Sequence, residues 1–126
     1  MKKILIVIAD YYEDISSSLL KSAKNNLKEF SLKIIRVPGV FEIPITISKN
    51  IKKYDAFIAL GCVIKGQTPH FDFISSATTQ AIMNLSVKSK KPIGNGIITC
   101  LNMKQAKSRG RKGKEAAKAV ISVLSQ

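Results

Sequence analysis

Histidine occurs once in this chain of 126 residues, cysteine twice, and acidic residues only eight times against 21 lysines and arginines. Each shortage excludes something. Cys62 and Cys100 form no C-x-x-C pair, so a zinc ribbon or a thioredoxin-like redox motif is not expected. Both end apolar segments, where a small buried thiol is the ordinary role. No stretch approaches the ~20 apolar residues needed to cross a bilayer. Met1 to Ala9 begins as a secretion signal does, with Lys2 and Lys3 before an apolar run, but the run is short and leads into Asp10, Glu13 and Asp14 without a small-residue cleavage pattern. A soluble, cytoplasmic protein without membrane contact is expected. The sequence also lacks G-x-G-x-x-G, a P-loop, a nucleophile elbow and metal-ligand spacing, so neither a nucleotide cofactor nor a metal is expected.

The scarcity of acid leaves a net charge of +13. No Asp or Glu lies between Asp72 and Glu115, while nine Lys or Arg do. Such asymmetry suits nucleic acid or a small phosphorylated substrate. Lysine and isoleucine are equally frequent at eighteen each, which marks a global compositional bias. The basic residues are scattered and not interleaved with aromatics, so a nucleic-acid partner is not expected. Arginine is confined to Arg36, Arg109 and Arg111. Two arginines within three residues stand out, because the guanidinium fork matches phosphate oxygens and an ammonium does not.

The length fits one domain spanning residues 1–126, since single domains commonly run roughly 100–200 residues. Ile4 to Ala9 is apolar throughout and reads as a buried parallel strand. Ile15, Leu19, Leu20, Ala23 and Leu27 recur at helical spacing and predict a helix from about Asp14 to Glu29. Leu32 to Val37 gives a second strand, ended by Pro38-Gly39, and a second helix spans about Phe41 to Lys52, with Pro44 in its first turn. A third strand, Ala56 to Leu60, precedes a helix from about Phe71 to Val87 with Ile74, Ala77, Ala81, Ile82 and Leu85 inward. Pro92 to Thr99 is a fourth strand, loosened by Gly94 and Gly96. A short helix near Met103 to Ser108, a charged hinge from Lys107 to Lys114, and a helix from about Gly113 to Leu124 follow. Strict strand–helix alternation implies parallel pairing with right-handed crossovers. The expected fold is α/β: a three-layer flavodoxin-like sandwich with four parallel strands ordered 2-1-3-4 and helices on both faces.

The segment Ala59 to Phe73 contains the single histidine. Gly61 and Gly66 permit tight turns after the third strand, and Thr68-Pro69 can open a helix, Thr68 as cap and Pro69 in the first turn. Ligands of open parallel sheets bind beyond the carboxyl ends of the strands. Amides around Gly66, Gln67 and Thr68 would then meet an anion at a helix N-terminus. His70 falls one residue inside that helix, in reach of the loop's ligand, and histidine exchanges protons near neutral pH. Other strand ends converge on the same edge. Tyr11, after the first strand, either stacks on a heterocycle or simply fills space. The amides of Val40, Phe41 and Glu42, after Gly39, either bond ligand hydroxyls or merely start a helix.

Together these residues resemble the lumazine synthase family, the 6,7-dimethyl-8-ribityllumazine synthases of riboflavin biosynthesis. The resemblance spans nearly the whole chain and is most specific at Val37 to Pro44, Ala59 to Phe73 and Lys112-Gly113-Lys114-Glu115-Ala116-Ala117. It implies condensation of 5-amino-6-(D-ribitylamino)uracil with 3,4-dihydroxy-2-butanone 4-phosphate, releasing phosphate and water without cofactor or metal. By resemblance Tyr11 stacks on the pyrimidine, Val40, Phe41 and Glu42 hold the ribityl chain, and Cys62, Val63 and Ile64 line the uracil. Gln67 and Thr68 look like the phosphate cradle and His70 matches the proton-transfer histidine. Arg109 and Lys112 resemble phosphate-binding residues that reach in from a neighbouring subunit, and Asn95 stands where many members cover the ring with phenylalanine. The resemblance thus implies a homopentamer with sites at subunit interfaces, and suggests riboflavin synthase as a further partner.

The chain departs from the family pattern elsewhere. Tyr12 replaces the asparagine that usually follows the aromatic, Arg111 replaces an asparagine, and residues are missing between Arg109 and Arg111. That deletion removes a loop the family associates with icosahedral shells, and the chain starts directly at its first strand. Both predict a bare pentamer or a pair of pentamers. Competing readings are the archaeal type of riboflavin synthase, against which the Thr68-Pro69-His70 block argues, and a non-enzymatic binder of flavin or another phosphorylated ligand.

Overall fold

The computed structural model describes residues 1–126. Its elements run β1 (Lys3–Ala9), α1 (Glu13–Lys24), β2 (Ser31–Val37), a 3-10 turn (Val40–Glu42), α2 (Ile43–Lys49), β3 (Ala56–Ile64), α3 (His70–Ser89), β4 (Ile93–Cys100), α4 (Met103–Lys107) and α5 (Lys112–Leu124). All strands are parallel, in the order β2-β1-β3-β4. The α/β sandwich read from the alternation of elements is the fold observed.

Side chains of a strand point alternately to the two faces, and β1 shows why its apolar run is unbroken. Ile4, Ile6 and Ile8 enter one core with Ile15, Leu19 and Ala23 of α1 and Ala116, Ala117 and Val120 of α5. Leu5, Val7 and Ala9 enter a second core with Ile43 and Ile47 of α2 and Ile82 of α3. Both faces are dry, so neither carries a polar position. β2 lies at one edge and is only partly covered.

Several boundaries differ from those read in the sequence. The first helix ends at Lys24, not Glu29, because Asn25 and Asn26 turn the chain, with Asn26 and Leu27 amides donating to the Ala23 and Lys24 carbonyls. Leu27 is nonetheless fully buried. The second helix opens as a 3-10 turn and stops at Lys49, where Asn50 Nδ2 donates to the Thr46 carbonyl at 2.8 Å. On α3 the buried positions are Thr78 and Ile82, whereas Ala77, expected to face inward, is exposed. Lys107 to Lys114 is no hinge: Lys107 ends α4, Lys112 begins α5, and only a tight turn separates them.

The largest correction concerns β3, which continues through Gly61 to Ile64. Gly61, Cys62, Val63 and Ile64 pair with Ile97, Ile98, Thr99 and Cys100. Gly61 serves close packing, not a turn: a Cβ there would stand 2.8 Å from Val40 Cγ2 and 3.2 Å from Ala9 Cβ. Nor does Gly94 loosen β4. A Cβ on it would strike the Ala116 carbonyl and come within 2.9 Å of Val120 Cγ2, so the glycine admits α5 against the sheet.

Candidate active site

A cavity of about 340 Å³ opens beyond the carboxyl ends of β1 and β3, lined by Tyr11, Tyr12, Gly39, Val40, Phe41, Cys62, Val63, Ile64, His70 and Ile74. Two loops, the end of β3 and the first turns of α3 build it. Tyr11 follows β1 and is 76% exposed, its ring set edge-on to that of Tyr12 with centroids 4.9 Å apart. Tyr12 turns inward against the first core, and burial raises its phenol pKa, with the neighbouring Cys62 and Tyr11 adding to the rise. Phe41 brings a second exposed aromatic to the rim.

The 3-10 turn divides its amides between fold and solvent. The Glu42 amide is committed to the Gly39 carbonyl at 3.2 Å, while those of Val40 and Phe41 find no acceptor in the chain. The Glu42 side chain lines a different cavity, the apolar groove between α2 and α3 with Pro44, Ile45, Ala77, Thr78 and Ala81. Because β3 runs on to Ile64, Cys62, Val63 and Ile64 form the rigid floor of the cleft and not a loop above it. The Cys62 thiol is pushed up to about 12, first by burial and then by the adjacent Cys100 thiol. A thiol held neutral is a lining group and a poor nucleophile.

His70 is the first residue of α3, one position earlier than its sequence implied, and it is exposed at the mouth of the cleft. The cap position falls on Pro69, and Thr68 Oγ1 accepts from the His70 amide at 3.4 Å. Gln67 and Thr68 lie outside the cavity lining, on the exposed loop before His70. The amides of Gly66, Gln67 and Thr68 have no partner within the chain. Three unpaired donors ahead of a twenty-residue helix favour an anion there.

Asn95, Arg109 and Lys112 are not brought to this cleft. They line a second cavity of about 430 Å³ along the outer edge of β4, with Ile97, Ile98, Thr99, Ser108, Arg111 and Glu115. The two cavities share no lining residue. Asn95 is exposed, and its Oδ1 accepts from the Ile97 amide at 3.0 Å. Lys112 Nζ stands 4.0 Å from Glu115 Oε1, the only ion pair of the chain, so Arg109 and Arg111 face the cavity without a carboxylate partner. Arg111, a departure from the family pattern in sequence, shares this cavity with Arg109. Its place beside Arg109 was legible only in the two-residue spacing of scarce arginines. Nowhere do three or more His, Cys, Asp or Glu side chains gather as a metal site would need, and no helix is long and apolar enough to cross a membrane.

A family model described as 6,7-dimethyl-8-ribityllumazine synthase matches residues 1–126. A 6,7-dimethyl-8-ribityllumazine synthase 1 from Rhodopseudomonas palustris is 41% identical, over 97% of this chain and 83% of its own. A 6,7-dimethyl-8-ribityllumazine synthase from Agrobacterium fabrum is 41% identical over 96% of this chain and 91% of its own. Among solved structures, a 3-dehydroquinate dehydratase-like protein from Bifidobacterium longum superposes over the whole of both chains with a TM-score of 0.54. At 11% identity that likeness is one of fold alone.

Proposed function

This chain belongs to the 6,7-dimethyl-8-ribityllumazine synthase family of riboflavin-pathway enzymes, and on that premise we propose that it condenses 5-amino-6-(D-ribitylamino)uracil with 3,4-dihydroxy-2-butanone 4-phosphate in a site shared by two subunits of a cytoplasmic homopentamer. The observation that carries this reading is the division of the site. An aromatic cleft with a histidine and a cavity with unpaired arginines occupy separate parts of one chain. A ring of copies brings the β4 edge of one subunit to the cleft of the next.

In that site the exposed Tyr11 ring stacks on the pyrimidine, and Cys62, Val63 and Ile64 line its edge. The free amides of Val40 and Phe41 bond the ribityl hydroxyls, with Glu42 beside them. Gln67 and Thr68 offer their unpaired amides to the phosphate. Arg109 and Lys112 reach it from the neighbouring subunit, and Asn95 lies over the ring. The ring amine attacks the ketone and a first water leaves. A proton then passes from the adjacent carbon to His70 as the phosphate departs, its growing charge met by the cations. The enol left behind tautomerises to a carbonyl, which the ribitylamino nitrogen attacks, and loss of a second water closes the ring. Holding both substrates in contact converts a bimolecular condensation into an effectively intramolecular one, which contributes more than the proton transfer.

Self-association is supported by the outer surface of α2 and α3. Ile45, Phe73, Met83 and Val87 are each at least 60% exposed, a share of bare apolar surface that marks a face made to be covered. Thr78 is buried at the groove with a hydroxyl that lacks any partner. The test is direct: purified protein is mixed with both substrates and the fluorescent lumazine product is followed. Absence of product, with the protein intact and assembled, overturns the reading.

A further inference from the structure

Ser22 lies on α1, far in sequence from the arginine cavity, yet its hydroxyl holds the turn that carries the arginines. Ser22 Oγ donates to the Gly110 carbonyl at 2.7 Å and accepts from the Lys114 amide at 3.1 Å. Lys114 occupies the third position of α5, the amide that a capping side chain ordinarily satisfies. The residue at the cap position itself, Arg111, supplies no such bond. Ser22 therefore caps α5 from another helix. At the same time it fixes the carbonyl between the two arginines.

The seam around this contact is built to bring the turn close. A Cβ on Gly113 would lie 2.5 Å from Ser22 Oγ and would strike the Leu19 carbonyl. A Cβ on Gly110 would strike Ser18 Oγ. With glycine at both places, the turn rests directly on α1. Arg109, Arg111 and Lys112 project from that short, clamped segment into the cavity along β4. Arg109 is tied on its other side to the sheet, Nη1 donating to the Thr99 carbonyl at 3.4 Å.

We propose that Ser22 is a positioning residue for the phosphate-binding cations: by joining the Gly110 carbonyl to the Lys114 amide it sets where Arg109 and Lys112 stand relative to the phosphate ester of the four-carbon substrate. The inference rests on the phosphate reading of that cavity. A guanidinium fork rewards exact placement, since both of its hydrogen bonds form only at one orientation. Misplacing the turn weakens phosphate binding while leaving the aromatic cleft intact.

Steady-state kinetics of Ser22→Ala, Arg109→Ala and the double variant, on the assembled enzyme, test this. Ser22→Ala is expected to raise the KM for the butanone phosphate about three- to tenfold, with the KM for ribitylaminouracil within about twofold of the parent. In the Arg109→Ala background the same change should add little, because the fork it positions is gone. Ser18→Ala, which breaks no hydrogen bond, serves as the control and should leave both KM values unchanged. If Ser22→Ala shifts neither KM, or shifts both alike, or its effect persists undiminished without Arg109, Ser22 has no positioning role. If Arg109→Ala itself leaves the phosphate KM unchanged, the phosphate reading of the cavity fails instead.

Discussion

Arg109 and Thr99 meet at the free edge of the sheet, where the Arg109 guanidinium donates from Nη1 to the Thr99 carbonyl at 3.4 Å. Thr99 pairs with Val63 of β3, so the arginine is held one strand beyond the floor of the aromatic cleft. The contact uses one nitrogen and leaves the other donors of the fork for a ligand. Arg109→Lys keeps the charge but loses the fork. It should raise the KM for the butanone phosphate and spare that for ribitylaminouracil, while Arg109→Ala should cost roughly 1.5–3 kcal/mol of phosphate-substrate binding. Equal losses for the two substrates in steady-state assays would contradict the assignment.

Arg109 and His70 line separate cavities of one chain; if the two meet across a subunit interface, two defective subunits should repair each other. Mixing Arg109→Ala with His70→Ala subunits creates some interfaces with both residues intact and others with neither. Activity of the mixed rings should exceed the mean of the two parents. Activity at or below that mean shows that the residues do not meet across an interface.

His70→Ala should slow turnover and keep measurable activity, with little change in either KM. Positioned acid–base catalysis contributes ~10²–10⁴-fold, and the rest of the rate comes from holding the substrates together. Wild-type turnover in this variant would remove the role.

The assembly should be a pentamer or a pair of pentamers. A ring of five uses heterologous contacts that close by rotation. The turn from Ser108 to Arg111 is clamped tightly to α1 and carries no protruding loop for contacts between pentamers. Sedimentation velocity reads the mass; a particle of sixty subunits would contradict the expectation.

Cys62 makes a prediction about alkaline pH. Its thiol is pushed up to about 12 in the folded chain, against an ordinary value near ~8.5. Above the ordinary value the unfolded chain gives up this proton and the folded chain keeps it, so unfolding is favoured increasingly as pH rises from about 9 to about 12. Chemical denaturation should show the parent losing stability across that window faster than Cys62→Ala. Matching slopes for the two proteins would show that the thiol ionises freely in the fold.

What the sequence determined was whatever follows from local pattern. The unbroken apolar run Ile4 to Ala9 required a strand dry on both faces, and the helical spacing from Ile15 to Ala23 required a helix against one of them. Strand–helix alternation then left one plausible sheet order. The motif around His70 named part of the cleft, Cys62, Val63, Ile64 and His70, because its loop joins two elements adjacent in sequence. Tertiary structure decided the rest. Whether β3 stops at Gly61 depends on β4 offering pairing partners as far as Cys100, and on Val40 packing where a side chain would otherwise stand. Gly94 looked like a weakness because its function lies in α5, twenty-two residues away at Ala116. Ser22 carried no signal at all: a serine on a half-buried helical face is unremarkable until Gly110 and Lys114 are folded onto it from the far end of the chain. Hydrogen-bond partners distant in sequence leave no periodicity behind, and only the packed structure brings them together.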